Sequence, residues 1–109
     1  MDVPTKATLS PSRQRLLETM QAINFGRIEQ LSVAEGEPAF DPPPRVIREV
    51  KFGAENGERP ELSLDDFLLK TEVQELFEAL TEIRDGVIER VEVRHGLPFR
   101  MIVAECCDL

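Results

Sequence analysis

One segment of this chain is written twice, and the repeat constrains the fold more than any other feature. Residues 16–38 align without a gap with residues 76–98, exactly sixty positions later. An ungapped match of glycines, a proline and the apolar rhythm indicates one structural unit used twice. The identical residues in the first copy are Leu16, Glu18, Ile23, Gly26, Ile28, Glu29, Val33, Gly36 and Pro38.

Each copy begins with an amphipathic helix. In the first copy, Ser10 is a suitable N-cap and Pro11 suits the first helical position, where its missing N–H costs nothing. In the second copy, Thr71 is the predicted N-cap, with Gln74 as its capping-box partner. Apolar residues at helical spacing follow in both copies, which predicts one buried stripe for each helix.

A glycine, a strand, a tight turn and a second strand complete each copy. Gly26 and Gly86 stand where the helix must reverse, and a left-handed backbone is expected there. The pairs Glu35-Gly36 and His95-Gly96 predict hairpin turns. After the turn the copies differ, because residues 98–105 form one expected strand and Pro42–Pro44 interrupt the other, as a stiff connector or edge.

The segment between the copies is expected to be irregular. Residues 53–62 are polar and contain Asn56-Gly57, which predicts a loop. Ser63 and Asp66 then form a capping-box-like start, which predicts a short helix before the second main helix.

These elements predict a single α+β domain over residues 1–109, with an antiparallel sheet of four to five strands and two main helices packed on one face. The alternative is that each copy pairs with its equivalent in a second chain, in a dimer. The expected core residues are Leu17, Met20, Ile23, Leu31, Val33, Phe77, Leu80, Ile83, Val91 and Val93.

Charge argues against nucleic acid as a partner. The net charge is -8, all of it in residues 55–109, and the Lys and Arg residues are dispersed rather than clustered. No apolar stretch has the length of a membrane span or a signal peptide, and Cys106 and Cys107 are adjacent, so we expect a protein of the reducing cytoplasm.

The stretch from Ile23 to Ile28, followed by Gly36, resembles a segment of certain very short bacterial proteins of uncharacterised function. Those proteins share an isoleucine, aromatic, glycine, strand and turn-glycine pattern after a helix. The second copy departs from the pattern, since Asp85 replaces the aromatic residue. The resemblance implies a helix-plus-strands unit that acts in pairs, and it implies no activity.

Few residues carry recognisable chemistry. Glu29 and Glu89 are equivalent in the two copies, and a pseudo-two-fold axis would bring their carboxylates close enough to act as acid and base; the simpler interpretation has both facing water or arginines. His95 is expected to be a turn residue. No metal site and no cofactor are expected, because two carboxylates do not complete a metal site and no spaced cysteine pairs or phosphate loop occur.

Two classes of function remain open. The first is a non-enzymatic interaction or regulatory module that binds a protein partner or a second copy, either through the uncovered sheet face or through the acidic second helix. The residues expected on that sheet face are Ile28, Ile88, Gln30, Ser32, Arg90 and Glu92. The second is a small-molecule-binding protein or enzyme, with a pocket between the copies. That pocket would be lined by Phe25, Phe40, Phe99, Glu29 and Glu89.

Overall fold

The computed structural model describes residues 4–53, 59–60, 64 and 66–104, and these residues form an α+β fold. Besides one 3₁₀ turn at Lys6–Thr8, its elements are two α-helices and five strands, in agreement with the two main helices and four to five strands that the sequence predicted. In chain order they are α1 (Pro11–Ile23), β1 (Gly26–Ala34), β2 (Glu37–Ala39), β3 (Arg45–Arg48), α2 (Thr71–Ile83), β4 (Gly86–Arg94) and β5 (Leu97–Val103).

The five strands form one antiparallel sheet in the order β2-β1-β4-β5, with β3 also paired to β1. The two central strands join the halves: Gly26 lies opposite Val93, and Gly86 lies opposite Val33. One chain therefore supplies both halves of the sheet, and no strand from a second copy is needed. Since β2 and β3 pair with successive parts of β1, Pro42–Pro44 connect two strands on the same edge.

The two halves repeat their elements sixty residues apart. The bounds of α1 and α2, and of β1 and β4, differ by that offset. Each hairpin turn is bonded to the end of the other helix, because Gly36 N donates to Arg84 O at 2.8 Å and Gly96 N donates to Asn24 O at 2.9 Å. That the halves arose by duplication stays a prediction from the sequence.

The helix ends follow the sequence only in part. Ser10 caps α1 and accepts from Arg13 N at 3.3 Å. The predicted cap of α2 was wrong: Thr71 is already helical, Lys70 is the N-cap, and no side chain caps this end. Gln74 is not available for a capping box, because its Nε2 donates to Leu69 O at 3.0 Å.

The chain leaves each helix earlier than the glycines suggested. Asn24 and Arg84 have φ angles of 61° and 62° and carry the left-handed backbone at the helix ends. Both donate their backbone N–H to a carbonyl four residues earlier, which closes the last turn. The turns at Glu35-Gly36 and His95-Gly96 have positive φ at both residues, as two-residue hairpin turns require.

The short helix expected near Ser63 is not formed in residues 66–70, where Leu68 instead makes a bridge with Thr5. The Asp66 carboxylate accepts backbone N–H groups from Ala7 at 2.8 Å and Phe67 at 3.0 Å, so it holds the N-terminal segment rather than a helix start. These bonds to its charged form lower the pKa of Asp66. Ser63, most of the predicted loop 53–62 (54–58 and 61–62), Cys106 and Cys107 lie outside the described residues.

Both helices and one face of the sheet share a single buried cluster. Every predicted core residue is buried except Ile83, which is half-buried and packs against the cluster. The remaining members of the cluster are Leu16, Ile28, Leu69, Val73, Leu76 and Ile88.

The prediction that Ile28 and Ile88 lie on the uncovered face was wrong, because both side chains are 0% exposed and belong to the core. The β1–β4 ladder skips Gln30 and Glu89 at its centre, and Gln30 has a φ of 57°. An extra residue in each strand inverts the alternation of the side chains. Ile28 thereby shares a face with Leu31, and both point toward the helices.

No helix among the described residues is long and apolar enough to cross a membrane.

Candidate functional site on the uncovered sheet face

The face of the sheet that the helices leave uncovered carries a network of charged side chains. Residues directly opposite one another in an antiparallel pair share a face. The register places Arg27 opposite Glu92, and Glu29 opposite Arg90 and Arg45. Glu92 also lies opposite Arg100. We call this set the arginine face; its members are Arg27, Glu29, Arg45, Arg90, Glu92 and Arg100.

Glu29 is held by arginines. Arg27 Nε lies 2.9 Å from Glu29 Oε2, and Arg45 Nη1 lies 4.0 Å from Glu29 Oε1. The hydrogen bond from Arg27, with the nearby positive charges of Arg45 and Arg90, lowers the pKa of Glu29. The carboxylate is therefore ionised at neutral pH and serves as a counter-ion within the sheet.

Glu92 has the same role on β4. Arg100 Nη2 donates to Glu92 Oε1 at 2.9 Å, and Arg90 Nη1 lies 3.8 Å from the same oxygen. The hydrogen bond from Arg100 lowers the pKa of Glu92, and the carboxylate in turn raises the pKa of Arg100. These pairs fix the planes of the guanidinium groups above the sheet.

The charges of the arginine face are not equally accessible. The Glu29 and Glu92 side chains are 25% and 20% exposed, whereas Arg45, Arg90 and Arg100 are 77%, 42% and 59% exposed. Four arginines face only two glutamates, and the arginines extend further into solvent. The face therefore presents positive charge on a chain whose net charge is -8.

A groove of about 620 Å³ opens at one end of this face. It is bordered by Phe25 and Phe99, by Arg27, Arg94 and Arg100, and by His95 among others. The ring of Phe25 meets His95 edge-on with centroids 4.8 Å apart. Arg94 lies 4.1 Å above the ring of Phe99, which is 53% exposed. The groove thus has aromatic walls, and its cationic lining residues (Arg27, Lys51, Arg94 and Arg100) outnumber the carboxylates of Glu49 and Glu92.

The predicted pocket between the copies is not formed as expected. Phe25 and Phe99 do line one groove, but Phe40 packs elsewhere, beneath Arg15 at 4.2 Å. Neither Glu29 nor Glu89 lines this groove.

The alternative of an acid–base pair is not supported by the contacts of Glu29 and Glu89. Glu89 is exposed at the gap in the central ladder, and the cross-strand neighbour of Glu29 is Arg90. The pKa of Glu29 is lowered, whereas two carboxylates sharing a site would raise one pKa. His95 lies in its turn, as predicted. No group of three or more His, Cys, Asp and Glu in the described part of the chain could hold a metal ion.

The sequence predicted Arg90 and Glu92 on this surface, and the other four members of the arginine face were missed. The available signal was the alternation of opposite charges at Arg27 and Glu29, and again at Arg90 and Glu92, which marks one face of a strand. The register of the strands could not be predicted. It brings these four side chains together in the β1–β4 ladder and places Arg45 of β3 and Arg100 of β5 beside them.

The ion pairs of Glu92 predict a pH-dependent stability. Because the pKa of Glu92 is lower in the folded state than in the unfolded chain, its contribution is present above the unfolded value and is lost as the pH falls through the folded value. We expect the free energy of unfolding of Glu92→Gln to lie below that of the wild type at neutral pH. The difference should shrink once the pH falls below about 4.3, the ordinary pKa of a glutamate, and vanish as the pH falls through the lowered pKa of the folded state. Denaturant unfolding across this pH range measures both curves. A difference that stays constant at every pH would contradict this role.

No family model, no curated protein and no solved structure matches this chain. The resemblance to very short bacterial proteins therefore stays a prediction, and function is inferred from the geometry.

Proposed function

We propose that this protein is a non-enzymatic interaction module that binds an acidic segment of a protein partner on the arginine face. The observation that carries the proposal is the exposure of the charges: the guanidinium groups of Arg45, Arg90 and Arg100 extend into solvent above glutamates that are three-quarters or more buried. A partner carboxylate meets arginines that are already oriented, which lowers the entropy cost of binding.

The composition of the surface supports a protein partner. Arginine and aromatic residues are enriched at interface centres. The register adds Ile47 and Ile102 to the same side of the sheet, opposite Arg27 and Arg90, and the exposed ring of Phe99 lies at its end. Apolar side chains between charges give the area that a partner can bury, while the charges give orientation and speed of encounter.

The sign of the charge decides the chemistry of the partner. An acidic segment with interspersed apolar residues complements both the arginines and the isoleucines. The chain's own acidic side chains on α2 lie on the covered side of the sheet, so they do not reach this face within one molecule. A second copy could supply them, and this is the alternative occupant; the exposed acidic residues of α2 are Glu72, Glu75, Glu78 and Glu82.

A charge reversal tests the proposal. The probe is a fluorescein-labelled peptide in which glutamates alternate with leucines around one phenylalanine, followed by fluorescence anisotropy. We expect Arg90→Glu combined with Arg100→Glu to weaken binding by about tenfold or more, because attraction becomes repulsion. Arg15→Glu, an exposed arginine on α1, is the matched control and should leave the affinity within about twofold. Equal affinity of all three proteins, or no binding of the peptide to the wild type, would contradict the proposal.

Light scattering of the same proteins distinguishes the two occupants. The proposal predicts a wild-type chain that remains monomeric while it binds the peptide. A wild type that associates with itself, and that the double reversal converts to a monomer, would show that a second copy occupies the face, and the acidic-partner proposal would be wrong.

We place this activity in the cytoplasm. The adjacent Cys106 and Cys107 fit a reducing compartment better than a disulfide framework.

A further inference from the structure

A second cavity, of about 250 Å³, lies on the helix side of the sheet and is separate from the arginine face. It is enclosed by α1, by Arg59, by the residues that lead into α2 and by the β4–β5 turn. Its apolar walls come from Leu17, Val73 and Leu97, and Arg59 is bonded to α1 through its backbone N–H, which donates to Gln21 O at 2.9 Å. Its size is slightly below the usual range for drug-sized ligands, about 300–1,000 Å³. It suits a small organic molecule.

The cavity has one unsatisfied polar atom. Gln21 lines it and is 5% exposed, yet its Oε1 has no hydrogen-bond partner among the described residues. A buried acceptor without a partner costs about 1–3 kcal/mol, so an orphan of this kind needs an explanation. A ligand that donates a hydrogen bond to Gln21 supplies one.

In the other half of the molecule, the position equivalent to this cavity is filled by the side chain of Arg13. There Arg13 Nη2 donates to Gly36 O at 3.0 Å and to Thr81 Oγ1 at 2.8 Å, so its guanidinium lies between α2 and the β1–β2 turn. Sixty residues later, Val73 stands at the position of Arg13. Gln21 is likewise the counterpart of Thr81, and Gly96 that of Gly36.

This difference leaves Gln21 without the donor that its counterpart Thr81 has in Arg13. The short side chain of Val73 cannot reach across to α1 as Arg13 reaches to α2, and it offers no donor. The Arg59 side chain packs against Gly96 in this half, and the Gln21 acceptor keeps no hydrogen-bond partner among the described residues.

The charge at the rim of the cavity indicates which chemical group the other end of the ligand carries. Lys70 lines the cavity at the N-cap of α2, is exposed, and makes no ion pair with the described residues. No carboxylate is found among the described residues that line the cavity. A cation beside a helix N-terminus favours a negative group.

We propose that this cavity binds a small carboxylic acid whose apolar body lies against Leu17 and Val73 and whose amide or hydroxyl group donates to Gln21 Oε1. The site is independent of the arginine face, so either proposal can fail while the other stands.

Three probes test the chemistry by calorimetry on the intact chain. N-acetyl-L-leucine has the carboxylate, the apolar body and the amide donor; 4-methylpentanoate lacks the donor, and N-acetyl-L-leucinamide lacks the charge. We expect N-acetyl-L-leucine to bind about tenfold more tightly than either of the others, because each lacks one polar contact. Equal binding of the three, or no binding of N-acetyl-L-leucine at millimolar concentration, would overturn the proposal.

Two variants tie the binding to this cavity. Gln21→Leu should keep its thermal stability, since it removes a buried acceptor without a partner, and should bind N-acetyl-L-leucine no better than 4-methylpentanoate. Val73→Arg should place a guanidinium where Arg13 places one in the other half, and should abolish binding of all three probes. A Gln21→Leu protein that is folded and still prefers N-acetyl-L-leucine tenfold would show that the ligand does not contact Gln21, and the proposal would be wrong.

Discussion

Gly26→Ala is expected to destabilise the protein by more than about 4 kcal/mol, which is exceptional for a single substitution. A Cβ built on Gly26 collides with the backbone carbonyl oxygen of Ile47 on β3, and it also lies 2.9 Å from Ile23 Cγ2 and 3.0 Å from Arg48 Cα. Two of these neighbours are backbone atoms of a paired strand, so no side-chain rotation relieves the overlap. The φ of 157° adds strain for any residue with a Cβ.

Gly86→Ala is the matched control, because Gly86 occupies the equivalent position in the second half. A Cβ built there meets only Ile83 Cγ2, at 3.4 Å. We expect its free energy of unfolding to stay within about 1 kcal/mol of the wild type, as at sites that accept alanine. Urea denaturation of both variants measures the two losses. Similar losses at Gly26 and Gly86 would mean that β3 does not pack against β1 as described.

Ile88→Asp is expected to prevent folding. The Ile88 side chain is 0% exposed and lies opposite Leu31 in the middle of the core. A carboxylate placed there has no charged or hydrogen-bonding partner in the apolar cluster, and an unpaired buried charge costs more than the whole stability of a small domain. Far-ultraviolet circular dichroism and a thermal melt should show no cooperative transition.

Two further substitutions test whether burial of the charge is what prevents Ile88→Asp from folding. Val87→Asp places the same charge one residue earlier, where the side chain is 47% exposed, and it should leave a cooperative melt. Ile88→Val removes one methylene from the core and should cost about 0.5–1.5 kcal/mol. A folded Ile88→Asp protein would restore the sequence-based expectation that Ile88 lies on the uncovered face.

The repeat explains why so much of the fold is readable from the sequence. Apolar periods, Ser10 and the two turn pairs act locally, so they predict helices, strands and hairpins correctly. Local signals also explain one error. Thr71 has the chemistry of a cap, but the N-cap is one residue earlier, at Lys70, and Gln74 Nε2 donates to Leu69 O, as Gln14 Nε2 donates to Leu9 O in the first half. Gly26 and Gly86 were predicted to carry the left-handed backbone at the helix ends, but Asn24 and Arg84 carry it.

The candidate surface was less predictable, because it depends on register at the centre of the sheet. A regular strand would place Ile28 and Ile88 outward, and only the skipped pair at Gln30 and Glu89 turns them toward the helices. No local sequence signal marks this irregularity. Arg90 and Glu92 were placed on the correct face of the sheet, since both lie beyond the irregularity, where the buried and outward residues of β4 alternate regularly.

The central claim is that the arginine face is where an acidic segment binds, and backbone-amide NMR during titration with the glutamate–leucine peptide tests it most directly. Binding on this face should give shift changes concentrated on β1, β4 and β5 around Arg27, Arg90 and Arg100, and these changes should weaken as salt is added because the contacts are ionic. The amides of α1 and α2 should not move. Shift changes confined to the helices, or changes on the sheet that salt does not reduce, would contradict it.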